Sequence, residues 1–107
     1  MTPWSLYVLS CGDDSLYTGI AIDVQSRLEQ HSEGKGARYT RGRGPLTLKA
    51  KAGCRDRSIA LRAEHAFKQL SRREKDAILS RPRGLIGFVA RITRATTAPA
   101  RRTPTRP

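Results

Sequence analysis

The chain has 107 residues, with 21 Lys and Arg against nine Asp and Glu, for a formal net charge of +12. That length holds one small domain with a thin core. The charge favours a polyanionic partner, nucleic acid before an anionic membrane, and no apolar run approaches the roughly 20 residues of a membrane span. Met1 to Leu9 is short and carries no basic cluster, so no secretory leader is expected. Cys11 and Cys54 lack metal-type spacing and read as free thiols of a reducing cytoplasm, a single disulfide being the alternative.

Trp4 to Cys11 is rich in strand formers, Gly12-Asp13-Asp14-Ser15 is a turn signal, and Leu16 to Ile22 is apolar and β-branched again. The pair reads as an antiparallel hairpin. Side chains alternate along a strand, so Tyr7 shares a face with Ser5 and Leu9, and Tyr17 with Gly19 and Ala21. The two phenols are then potential neighbours, with the register left open. Asp23 is an N-cap for a helix running to about Ser32. Val24 and Leu28 face its core side. Arg27 and His31 lie four residues apart on one face, about 6 Å along the axis.

A loop from Gly34 to Pro45 holds four glycines, the basic residues Lys35, Arg38, Arg41 and Arg43, and no acid. Leu46 to Ala52 alternates weakly, with Leu46, Leu48 and Ala50 against Thr47, Lys49 and Lys51, which suits an edge strand guarded by lysines. Asp56 or Ser58 caps a second helix, Ile59 to Leu70, with Ile59, Ala63, Phe67 and Leu70 as its apolar stripe. Ala60, Glu64 and Lys68 form the stripe beside the core. Ser71 and Glu74 match a capping box that starts a third helix ending near Leu79, before Pro82. Gly84 to Ile92 repeats apolar residues at helical spacing.

The expected organisation is an α+β domain over residues 1–93: a small three-stranded antiparallel sheet flanked by helices, in the order β-β-α-β-α-α. Residues 94–107 are expected to be a disordered basic tail of Arg, Pro, Thr and Ala. The tail takes four of the 21 basic residues and none of the nine acids, so the remainder stays near +8. The basic character therefore belongs to the domain.

Phosphodiester hydrolysis needs a nucleophilic water, a group to take its proton, neutralisation of charge at phosphorus and help for the leaving oxygen. Arg27 suits bidentate contact with phosphate. One carboxylate with a divalent metal suits the rest. A free tyrosine has a pKa near 10. Beside Arg27, a lysine or a metal-held water the phenolate is favoured, and its pKa is expected to fall. Arg27 and a protonated His31 would repel, a strain that a shared phosphate relieves.

Leu6-Tyr7-Val8, Tyr17-Thr18-Gly19, then Arg27, His31 and Glu64, in that order, resemble the GIY-YIG nuclease domain over about residues 3 to 80. Gly36-Ala37-Arg38-Tyr39-Thr40-Arg41-Gly42 and Ser58-Ile59-Ala60-Leu61-Arg62-Ala63-Glu64 further resemble its small stand-alone bacterial branch. The resemblance implies a metal-dependent DNA endonuclease. Tyr7 is then the general base or its relay, and Tyr17 a hydrogen-bonding partner of water or phosphate. Arg27 stabilises the pentacovalent phosphorus, and His31 aids proton transfer or contacts phosphate. Glu64 is the sole protein ligand of one Mg²⁺ or Mn²⁺. Gly19 lets the backbone pass close to the site. Gly19, Lys35, Arg38, Tyr39, Arg41, Arg43 and Lys68 are the nucleic-acid-binding candidates. The expected partner is single-stranded or structured DNA, with a monomer favoured and no membrane.

Two departures stand out. The first triplet reads Ser5-Leu6-Tyr7, without its glycine and isoleucine, and the chain contains no asparagine for the position that many members place after the metal ligand. Gln69 and Lys68 are the available substitutes. The competing readings are a non-catalytic nucleic-acid-binding module on the same fold, and a basic ribosome- or membrane-associated protein. Asp13, Asp14 and Asp56 read as turn and capping residues rather than metal ligands.

Overall fold

The computed structural model describes residues 4–35 and 40–102, with the backbone alone for 97–102. Strands β1 (Ser5–Ser10) and β2 (Leu16–Ala21) form the hairpin, helix α1 (Val24–Ser32) follows, and β3 (Thr47–Gly53) adds the third strand. Helices α2 (Arg57–Lys68), α3 (Arg72–Leu79) and α4 (Gly84–Arg102) complete the chain. The sheet is antiparallel in the order β2-β1-β3, so β3 is an edge strand as expected, and β2 is the other edge.

The period-two pattern of β1 divides the core. Leu6 and Val8 face α2 and α4, where Ile59, Ala63, Phe67, Leu85, Phe88 and Val89 close the main cluster. Tyr7 and Leu9 face the other way, with Ala21 and Val24, and Tyr17, Leu28 and Leu48 around them. Ala60 is fully buried, so the stripe expected beside the core begins inside it. The side chain of Glu64, one turn further on, is about one-fifth exposed.

Local signals set the boundaries. Asp23 accepts from the Ser26 N–H at 3.0 Å, and Asp56 from the Ile59 N–H at 2.9 Å. The Ser71–Glu74 capping box closes both ways, at 3.1 and 2.8 Å. Asp13 accepts from Ser15 and pairs with Arg43, a turn role. Both cysteines are buried free thiols.

Two expectations need correction. A register shift between Val8 and Leu9 leaves Lys49 without a partner on β1. Leu48 and Ala50 therefore join opposite clusters rather than one face. A bulge of this kind adds one residue to one strand and inverts the alternation beyond it. Second, the expected disordered tail is helical through Arg102, as α4 continues past Ile92 without a break. Leu85, Phe88 and Val89 anchor the first turns, Thr93 Oγ1 donates to the Val89 carbonyl at 2.8 Å, and alanine and arginine are good helix formers. Residues 103–107 lie outside the described region. Among the described residues no helix is long and apolar enough to cross a membrane.

Candidate active site

Tyr7 sits directly across from Gly19 in the β1–β2 register. A β-carbon at residue 19 would lie 2.7 Å from the Tyr7 hydroxyl and 3.1 Å from the Tyr17 ring. The Tyr7 ring therefore crosses β2 in the space a glycine leaves. The expectation for Gly19 was a close backbone approach to the site; the group that approaches is the phenol. Helix α1 brings His31 to the same place. The Tyr7 hydroxyl is 2.9 Å from His31 Nε2, and His31 Nδ1 is 2.8 Å from Thr40 Oγ1. Tyr7 and His31 are each 1% exposed and Thr40 is 2% exposed, so the three side chains are buried.

Tyr17 completes a triangle of rings, with centroids 6.3 Å from Tyr7 and 5.0 Å from His31. Arg27 places its positive charge beside the Tyr7 phenol. Its Nη1 donates to Gln30 Oε1 at 2.8 Å, which fixes the guanidinium plane. Glu64 comes from α2, on the other face of the sheet. Its charge is close enough to act on Tyr7, and it pairs with Lys68 Nζ at 3.1 Å. Lys68 lies 6.0 Å from the Tyr17 ring centre. The two tyrosines point to the α1 side while Glu64 rises from the α2 side, so they meet along the free edge of β2. The structure thus brings Tyr7, Tyr17, Arg27, His31, Glu64 and Lys68 together.

The loop residues divide differently. Arg43 is tied to the hairpin turn through its ion pair with Asp13 and through its carbonyl, which accepts from the Gly12 N–H. Lys35 makes an exposed pair with Glu33 at 3.6 Å. Arg41 is exposed. Arg38 and Tyr39 lie outside the described residues. Gln69, one of the two substitutes for the absent asparagine, is the exposed C-cap of α2, which leaves Lys68 as the one in the cluster.

Electrostatics correct one expectation. Burial pushes the Tyr7 phenol above the ordinary tyrosine range, and Tyr17 adds to this. The Arg27 guanidinium acts the other way without winning. Tyr7 is therefore a neutral phenol at neutral pH. Burial pushes the His31 imidazole below the usual histidine range, and the Arg27 charge adds to that. The expected repulsion between Arg27 and His31 is avoided because His31 is neutral.

A stability effect follows. In the unfolded chain His31 takes a proton as pH drops through about 6.5. In the folded protein it does so only at lower pH. Over that interval the unfolded state binds more protons, so stability falls with falling pH. Urea midpoints between pH 7 and 5 are expected to drop for the wild type, and less steeply for His31→Gln. Equal slopes for the two proteins would remove the effect from His31.

Glu64 also sets what metal chemistry fits. Among the described residues no three His, Cys, Asp or Glu side chains converge on one point. A single, partly exposed carboxylate fits a hard divalent ion whose other ligands are water and substrate phosphate, as Mg²⁺ prefers.

Thr40 is the site residue that the sequence reading left without a role. A threonine in a glycine-rich loop, nine residues after a helical histidine, carries no local mark of its partner; only the folded loop reveals it.

A buried phenol and imidazole, an arginine and a carboxylate thus stand together at one sheet edge. The GIY-YIG catalytic domain family matches residues 3–77, and the chain belongs to that family, a family of nucleases. Among its relatives are the UPF0213 protein YhbQ of Escherichia fergusonii, 46% identical over 92 residues, and that of Escherichia coli O139:H28, 50% identical over 92 residues. Each alignment covers 86% of this chain and 92% of the relative. The solution NMR structure of the UPF0213 protein BH0048 from Bacillus halodurans is 45% identical, with a TM-score of 0.49, covering 72% of this chain and 82% of that one.

Proposed function

We propose that the protein is a metal-dependent DNA endonuclease that cuts single-stranded or structured DNA. The observation that supports this most is the Tyr7 oxygen held between Arg27 and His31, with Glu64 close enough to act on the same phenol. Arg27 contacts the scissile phosphate and offsets the charge that grows on it. Tyr17 hydrogen-bonds the attacking water or a phosphate oxygen. Tyr7 is neutral, so it serves as a relay: its oxygen takes the water's proton while its own proton passes to His31 Nε2. The bond from water oxygen to phosphorus forms as the bond to the leaving deoxyribose oxygen breaks, and solvent protonates that oxygen. His31 Nε2 faces the Tyr7 hydroxyl at 2.9 Å, so of its two expected roles we assign proton transfer. Glu64 would hold one Mg²⁺ or Mn²⁺, which neutralises phosphate charge and assists the leaving group when bound. Lys68 holds the same carboxylate in the meantime. Arg41 and Lys35 steer the DNA backbone towards the β2 edge.

The test is a panel of labelled single-stranded, duplex and branched DNAs incubated with Mg²⁺, with Mn²⁺ and with chelator. Cuts that require the metal are expected in the single-stranded or branched members. Binding to all of them with no cut in any would overturn the reading in favour of a non-catalytic nucleic-acid-binding module.

A further inference from the structure

Tyr7, His31 and Thr40 form one buried hydrogen-bonded chain, and the chemistry of Arg27 beside its Tyr7 end sets the direction of the whole. A guanidinium only donates. Its charge beside the Tyr7 oxygen faces the oxygen's lone pairs, and the phenol proton is directed to the other neighbour, His31 Nε2 at 2.9 Å. A neutral imidazole that accepts at Nε2 carries its hydrogen on Nδ1. The atom facing Nδ1 is Thr40 Oγ1 at 2.8 Å, the acceptor that this buried hydrogen needs.

We propose that Thr40 is a positioning residue that locks His31 in its Nδ1–H tautomer, so that the Nε2 lone pair always faces the Tyr7 hydroxyl. The assignment follows from the geometry of the four side chains. Its consequence for catalysis rests on the nuclease reading above. When Tyr7 passes its proton to Nε2, both imidazole nitrogens carry hydrogen. The Nδ1–H bond to Thr40 is already in place and nothing must rotate. After turnover, Nε2 returns its proton to the Tyr7 oxygen as the phenol releases to solvent the proton it took from the attacking water, and His31 is again the neutral Nδ1–H tautomer.

Replacing Thr40 by valine keeps the shape and removes the acceptor. The buried Nδ1–H then loses the oxygen it faces, and the imidazole gains by moving its hydrogen to Nε2. That tautomer presents a donor to a phenol whose oxygen lone pairs already face the Arg27 charge, and the phenol proton loses its acceptor. Thr40→Ser keeps the oxygen and should behave like the wild type.

The experiment is ¹⁵N NMR of the side chains in the DNA-free protein, with His65→Gln to assign the two histidines. The wild type and Thr40→Ser are expected to show a protonated Nδ1 and an unprotonated Nε2, and Thr40→Val the reverse. In single-turnover cleavage Thr40→Val should lose on the order of 100-fold in rate with unchanged DNA affinity, and Thr40→Ser should restore most of it. A wild-type spectrum with the hydrogen on Nε2 overturns the assignment, whatever the cleavage result. A wild-type Nδ1–H spectrum with no cleavage by any variant supports the tautomer lock and removes the nuclease reading instead. If Thr40→Val does not fold, the wild-type and serine spectra still decide.

Discussion

Glu64→Ala is expected to reduce metal-dependent cleavage by on the order of 1,000-fold, while DNA affinity measured in chelator stays within about twofold of the wild type. The separation is possible because of how little Glu64 contributes to the fold. Among the described residues it makes one ion pair, an i,i+4 pair with the exposed Lys68, worth about 0.3–0.5 kcal/mol. Its stripe neighbour Ala60 carries the packing at that part of α2. The loss should therefore appear in kcat at saturating DNA, as expected for an interaction made at the reacting phosphate. Two controls sharpen the reading. Glu64→Gln keeps the side-chain volume and should be equally inactive, because the charge and not the shape is what a hard cation needs. Lys68→Ala frees the carboxylate and should leave metal-dependent cutting in place. Cleavage at wild-type rates by Glu64→Ala, still abolished by chelator, would move the metal ligand elsewhere in the chain.

How far the sequence announces this site depends on the range of the interaction that makes each part. Asp23, Asp56 and the Ser71–Glu74 box act within three residues, and each sits where its helix begins. The hairpin is legible for the same reason, from Gly12-Asp13-Asp14-Ser15 and the strand formers on either side. The order of Tyr7, Tyr17, Arg27, His31 and Glu64 is legible as a family pattern. The bulge opposite Val8 and Leu9 is set by pairing across the sheet, so alternation along β3 alone places Leu48 and Ala50 wrongly. The charge state of Tyr7 is set by burial, which a list of neighbours in sequence does not contain, so proximity to Arg27 gives the wrong sign. Helix α4 passes beyond Ile92 because its first turns are docked on the core, an effect absent from the Thr- and Pro-rich composition of the tail. Thr40 is hidden for the same reason as the bulge: its partner is fixed by the loop's return path.

Gly19→Ala is expected to break the site from within. The added carbon would lie 2.7 Å from the Tyr7 hydroxyl oxygen and 2.9 Å from Cζ, closer than real β-carbons approach. The ring has no free direction to move, because it is 1% exposed and hydrogen-bonded to His31. Either the phenol leaves His31 or β2 shifts away from β1, and each destroys the relay. Overpacking of this kind costs about 1–3 kcal/mol, which in a domain of this size lowers Tm by roughly 4–8 °C per kcal/mol. Cleavage should fall by at least on the order of 100-fold. The Tyr7→Phe background tests the cause. Removing the hydroxyl leaves His31 Nε2 without its partner, at a cost of about 1–3 kcal/mol, and it also removes the shortest of the clashing contacts. Gly19→Ala should then cost less in Tyr7→Phe than in the wild type, with a coupling of about 1 kcal/mol in urea denaturation. Strictly additive costs would mean that alanine at residue 19 acts on the β2 backbone alone. The glycine would then owe its place to the strand and not to the phenol that crosses it.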